Sequence, residues 1–380
     1  MPKVALAAAL AAFLLAAVCG DADAYGRKKP KNPKRKKPAA GAPAGAAAAA
    51  SPAVPAGPSP LLAPGRWDPS VRVRIEEFVR SQGSQAPDYD PGSPPVAVFS
   101  LNDVLIVNDL GEAVFQRMVL SSQTVVPAFD LRFDEDFWQM LPAAFGRLTL
   151  RADYQQLLAA PVSIWPDQPG YRRLRKGFVK MYREFCGQRG LKECRGLLAR
   201  MFKGYTEDEA VGYAKDVIND ELGRPMGWEF LEDRASDPAP LRIKTGLRPV
   251  PEMKDLLSVL GREGFDVVVV SEDSQIAVRQ MVKHFGLPPE RGLGIRVSVS
   301  TRTFLLEDEV EPPFPFRSGK IEAILSAMGR PPAFVAAASA EDAALLSYGE
   351  GLRLLIDRGD PDLRRVGVDR GWIIQPAFPP

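Results

Sequence analysis

The chain has 380 residues, with 49 Lys and Arg against 47 Asp and Glu, and one histidine. A single imidazole excludes a His-rich zinc site, and any Ser-His-Asp or Cys-His mechanism would have to run through His284. Nine of the basic and two of the acidic residues precede Arg66, leaving 40 against 45, so the globular part is mildly acidic and argues against a nucleic-acid-binding domain.

Lys3 precedes an apolar stretch, Val4 to Cys19, and Ala22-Asp-Ala24 then offers small residues where signal peptidase needs them. Residues 1–24 therefore read as a secretory signal cut before Tyr25, which predicts an exported protein, periplasmic or secreted. An uncleaved anchor is the second reading, although the stretch is short for a membrane span. Lipidation at Cys19 is the third, disfavoured by the bulk of Val18. Residues 25–65 gather eight Lys and Arg between Arg27 and Lys37 and then turn rich in Ala, Pro and Gly. Like charges repel and few side chains are large enough to pack, so this segment is expected to be a disordered linker. It serves either as a solvated spacer or, through residues 27–37, as a tether to an anionic envelope surface.

Asp68-Pro69 is a helix start, and Val71, Ile75, Phe78 and Val79 follow at helical spacing. Val96 to Phe99 reads as a buried strand ending in small polar residues. Residues 110–245 form a long insert of mostly helical pattern, with Phe137, Trp138, Tyr171, Tyr182 and Phe185 as the core of a helical cap. Beyond it the chain alternates: a helix over 251–260, a strand over 266–270, a helix from Gln275 to Phe285, a strand over 292–299 with a hairpin extension at Thr303 to Leu306, a helix over 320–328, and strands at 333–336 and 352–356. Such alternation predicts an α/β, Rossmann-like three-layer fold around a parallel sheet, with a core of 66–109 plus 246–380. His284 falls in a last helical turn, where a cation suits the helix dipole. Cys186 and Cys194 are eight apart; export makes a disulfide chemically open to them, and spacing leaves their pairing undecided.

Ligands of parallel sheets bind beyond the carboxyl ends of the strands. The residues there are Ser100, Ser271 and Ala337-Ala-Ser339. Around them, Val96-Ala-Val-Phe-Ser-Leu-Asn-Asp-Val-Leu-Ile-Val-Asn-Asp-Leu-Gly-Glu112 resembles the first motif of the haloacid dehalogenase-like (HAD) phosphatases, where a strand runs into Asp-x-Asp-x-Thr. The Asn-Asp-x-Gly-Glu tail is similar to that of the phosphoserine and phosphorylcholine phosphatase type. Ser271 matches the second motif, Lys320 in Ser318-Gly-Lys-Ile-Glu322 the third, and Ala337-Ala-Ser-Ala-Glu-Asp342 aligns with the fourth. The resemblance runs from about Trp67 to Pro376 and implies a cap between the first two motifs, an aspartyl nucleophile, an aspartyl acid/base, and Mg²⁺ held by carboxylates.

At each catalytic acid the chain departs from that pattern. Ser100 stands for the nucleophile, Asn102 for the acid/base, Val104 for the Thr, and Ala338 for a metal-binding Asp. No intact catalytic set remains, and no metal or other cofactor is expected. Asp103 lies one residue late, which turns its side chain away from the position its predecessor faces. Ser271 and Lys320 survive as phosphate-binding candidates and Asp342 as the retained acid of the fourth motif. The alternative is that Ser271 caps the next helix and Lys320 is the buried partner of Asp342. The expectation is a pseudophosphatase that binds a phosphorylated or other anionic ligand, or a protein partner, in the cell envelope. A phosphomonoester hydrolase with a non-standard nucleophile and a structural envelope protein held by its basic tail are the alternatives.

Overall fold

The computed structural model describes residues 59–120 and 135–379, so the signal and nearly all of the expected linker lie outside the described residues. Helix α1 (Pro69–Gln82) begins as its sequence dictates: the Asp68 carboxylate accepts from the amides of Ser70 and Val71, and Pro69 occupies the first turn, where a missing N–H leaves nothing unpaired. Val71, Ile75 and Val79 form its buried side. Strand β1 (Val96–Ser100) is buried throughout, and the short β2 (Ile106–Val107) leads into the insert.

The insert carries α2 (Leu110–Leu120), α3 (Glu135–Met140), α4 (Arg147–Leu158), α5 (Pro169–Arg189), α6 (Leu191–Arg200) and α7 (Glu207–Gly223). Phe137, Trp138, Tyr171, Tyr182 and Phe185 are buried among them. A disulfide joins Cys186 to Cys194 across the turn between α5 and α6. The insert is not purely helical: it ends in an antiparallel hairpin of β3 (Gly227–Leu231) and β4 (Leu241–Thr245). The alternation in β4, with Ile243 and Thr245 inward and Arg242 and Lys244 exposed, is the period-two signal of a half-buried strand. At the neck, β2 pairs with β5 (Arg248–Pro249). Asn108 there donates from Nδ2 to the carbonyls of Gly246 at 2.8 Å and Thr245 at 3.3 Å. Its φ of 74° lies in the left-handed region, which Asn adopts more readily than most residues.

The rest of the core is α8 (Pro251–Arg262), β6 (Asp266–Ser274), α9 (Gln275–Met281), β7 (Gly292–Val299), β8 (Leu306–Glu311), α10 (Ser318–Met328), β9 (Pro332–Ala337), α11 (Ala343–Leu346), β10 (Leu352–Asp357), α12 (Pro361–Asp369) and β11 (Ile373–Pro376). The strands form one seven-stranded sheet in the order β11-β10-β9-β1-β6-β7-β8, and only the β7–β8 pair is antiparallel. The fold is therefore α/β with a mostly parallel central sheet. Alternate side chains separate to its two faces. Val96, Val98, Val268 and Val270 join one apolar cluster, while Ala97, Phe99, Val267 and Val269 join the other. Because both faces are covered, these strands read as continuous apolar runs rather than as alternating ones.

Backbone bonds clasp the insert to the sheet edge. Gly204 N donates to Leu306 O at 2.9 Å, Leu306 N donates to Tyr205 O at 2.7 Å, and Lys203 pairs with Asp308 at 3.0 Å. His284 lies in the 3-10 turn Val282–Phe285 that follows α9. Burial and the nearby Lys254 lower its pKa, which disfavours the cationic form that the dipole reading needs.

Candidate functional site

From β1 the chain crosses to β6 on one side of the sheet and later returns to β9 on the other. Reversal of direction at a central strand opens a crevice beyond the carboxyl ends. A pocket of about 120 Å³ lies there and brings together Ser100, Asn102, Lys320 and Asp342 from the sequence-derived set. To these it adds Asp109, Arg195 and Glu272.

Ser100 ends β1 and is 2% exposed. Its Oγ donates to Asp342 Oδ1 at 2.8 Å. Lys320, in the first turn of α10 and 1% exposed, donates to the same oxygen at 2.6 Å and pairs with Glu272 at 2.6 Å. Ser339 Oγ donates to Asp342 Oδ2 at 2.9 Å. Burial works against the Lys320 charge, but Asp342 and Glu272 outweigh it and hold the pKa well above the usual lysine value. Burial likewise disfavours ionised Glu272, yet Lys320 and Arg195 bring its pKa down to about 2. Lys320 is therefore a locked cation and cannot act as a base toward Ser100.

A second set of contacts lies alongside. Asn102 Nδ2 donates to Asp273 Oδ2 at 2.8 Å and to Asp109 Oδ2 at 3.3 Å, while its Oδ1 accepts from Leu110 N at 3.1 Å. Asp109 caps α2 by accepting from Glu112 N at 2.8 Å. Arg195, carried by α6, reaches Asp109 at 2.6 and 2.9 Å and Asp273 at 3.5 Å. Burial, reinforced by Asp109, pushes the Asp273 pKa up to about 7. Gly111 is required here, since a Cβ would stand 2.4 Å from Asp273 Oδ1.

Ser271 is placed differently from the other candidates. Its Oγ donates to Asp273 Oδ2 at 2.8 Å, and it does not line the pocket. Nor does it cap a helix: β6 runs on to Ser274, and α9 starts only after that residue. Asp103, expected to face away, lines the same pocket: its φ of 63° breaks the strand alternation, and it pairs with Arg358 at 2.8 Å. Val104 is fully buried, and Ala338 packs into the larger apolar cluster.

Arg195, Glu272, Asp273 and Asp109 are the site residues that sequence reasoning left unassigned. The acids border residues already singled out, so adjacency was a usable signal for them. Arg195 had none, because its reach depends on how α6 lies against the sheet.

No family model matches this chain, and no curated protein matches it significantly. Among solved structures, a conserved protein of unknown function from Anaerococcus prevotii has a TM-score of 0.70 at 19% identity, over 83% of this chain and 94% of that one. A protein of unknown function from Bordetella pertussis gives 0.46 at 14%, over 75% and 100%. A HAD family hydrolase from Salmonella enterica serovar Typhi gives 0.35 at 14%, over 72% and 66%. The first likeness shows the fold alone, and the two below 0.5 carry no further weight.

Proposed function

We propose that this chain is a HAD-like phosphatase homologue of the exported phosphoserine/phosphorylcholine phosphatase-like type, and that it does not hydrolyse phosphomonoesters. Its role is to bind a phosphorylated or other anionic ligand, or a protein partner, in the cell envelope rather than to turn a substrate over. The observation that carries this reading is the shared Asp342 carboxylate, which receives both the Ser100 hydroxyl and the Lys320 ammonium. Ser100 has a neutral hydroxyl whose neighbouring ammonium is already protonated, and Asn102 supplies an amide, which does not shuttle protons near neutral pH.

The cation a phosphate would need is also already matched. Lys320 sits between two carboxylates, and each unit charge of a phosphate about 5 Å from either of them is repelled by roughly 3 kcal/mol at an effective dielectric of about 20. The residues do not fit the family's Mg²⁺. Ser100 brings a neutral oxygen, Ala338 a methyl group, and among the described residues no group of three or more His, Cys, Asp and Glu is arranged to hold an ion.

The test is an assay of the purified protein with p-nitrophenyl phosphate and Mg²⁺. No release of nitrophenol above buffer is expected. Metal-dependent turnover that disappears in Ser100→Ala would overturn the proposal.

A further inference from the structure

Beside the small pocket lies a cleft of about 780 Å³, between the β3–β4 hairpin of the insert and the loops that follow β10 and β11. Trp228 and Lys244 are cross-strand partners on the hairpin, and both line the cleft. Trp228 is 49% exposed, with the Arg242 guanidinium 4.0 Å from its ring centroid. Lys244 is exposed, and among the described residues no carboxylate lies within ion-pair distance of it. Arg358 joins from the core side, where Asp103 is its partner. The single carboxylate in the lining, Asp357, is taken up by Arg364 and the Gly359 amide. Val107, Met226 and Phe378 supply apolar surface.

An aromatic ring left half in water, next to a cation that makes no direct ion pair and meets Asp103 and Glu112 only at longer range, is unusual for a purely structural hairpin. Large aromatics contribute most when covered, and small-molecule sites pair an apolar lining with a few convergent charges. We infer that this cleft binds a small organic anion carrying a flat ring, the ring lying against Trp228 and the anionic group meeting Lys244 and Arg358. The strand-end pocket is a poor competitor for such a ligand, being about 120 Å³ and rich in carboxylates. The inference does not rest on catalytic silence at Ser100, since a cleft of this kind could equally gather ligand for an active site.

The experiment is calorimetric titration of the purified protein with phenylphosphonate, which resists hydrolysis, alongside cyclohexylphosphonate and inorganic phosphate. Phenylphosphonate should bind, more tightly than either control. Trp228→Ala and Lys244→Ala, both at exposed positions, should each weaken it by about tenfold, the range for losing a stacking face or a charge-assisted contact. Ser100→Ala should leave the affinity unchanged. An absence of heat with the native protein would sink the idea, as would equal affinity in Trp228→Ala. Loss of binding in Ser100→Ala with Trp228→Ala unaffected would move the anion to the strand ends and refute the cleft.

Discussion

Two neighbouring pockets of this molecule hold charge in opposite ways. At the strand ends, Lys320 and Arg195 are each enclosed by two carboxylates, and little polar capacity is left over. In the hairpin cleft, Lys244 stands in solvent beside an indole ring. A buried charge must be matched within the fold, because desolvation is expensive; an exposed one can wait for a ligand. The contrast teaches that the motif resemblance points to the first pocket while physical chemistry points to the second.

The sharpest way to break the comparison is Lys320→Met. It leaves Asp342 and Glu272 facing each other without a cation, and should lower stability by about 3–5 kcal/mol in urea unfolding. Adding Glu272→Gln and Asp342→Asn should recover most of that loss; a single variant as stable as the native protein would mean that the matched network is not stabilising. Replacing both Cys186 and Cys194 by Ser should remove roughly 2–3 kcal/mol, the range for a short closed loop, measured by thermal melting under oxidising conditions.

Asp273 offers a pH signature. Its folded pKa of about 7 lies above the ordinary carboxylate value, so the folded state binds the extra proton. Stability should fall as pH rises from about 4 to 7, by roughly 1–3 kcal/mol, and level off above that. Asp273→Asn has no proton to lose and should flatten that part of the profile; an unchanged slope would assign it to other groups. The smallest effect is expected in the cleft: Trp228→Ala and Lys244→Ala should alter stability by no more than about 0.5 kcal/mol. A larger loss there would make the hairpin face structural rather than receptive.

Much of the core was legible because its strands are apolar on both faces. Val96 to Phe99 and Val267 to Val270 admit few other readings once Pro and Gly bracket them. The hairpin was harder to see. Leu241-Arg-Ile-Lys-Thr245 alternates, but it is short and sits among helices, and Trp228 and Phe230 point out to solvent where aromatics are expected inside. At the site, Ser100, Lys320 and Asp342 could be placed from strand ends and motif order. The partnership of Lys320 with Glu272 could not, because it joins α10 to the irregular end of β6, where the pairing with β7 shifts register. Arg195 was out of reach for the same reason: tertiary contact, rather than spacing, brings α6 over Asp273.

The two backbone bonds between Gly204, Tyr205 and Leu306 also restrain any movement of the insert against the sheet. They tie the cap, at a point far along the chain from its neck, to the edge of the sheet, so a swing about Asn108 must first unzip them. The amides of Gly204 and Leu306 are thus natural reporters for hydrogen exchange. Their protection would test whether the insert separates from the sheet edge at all, independently of any ligand.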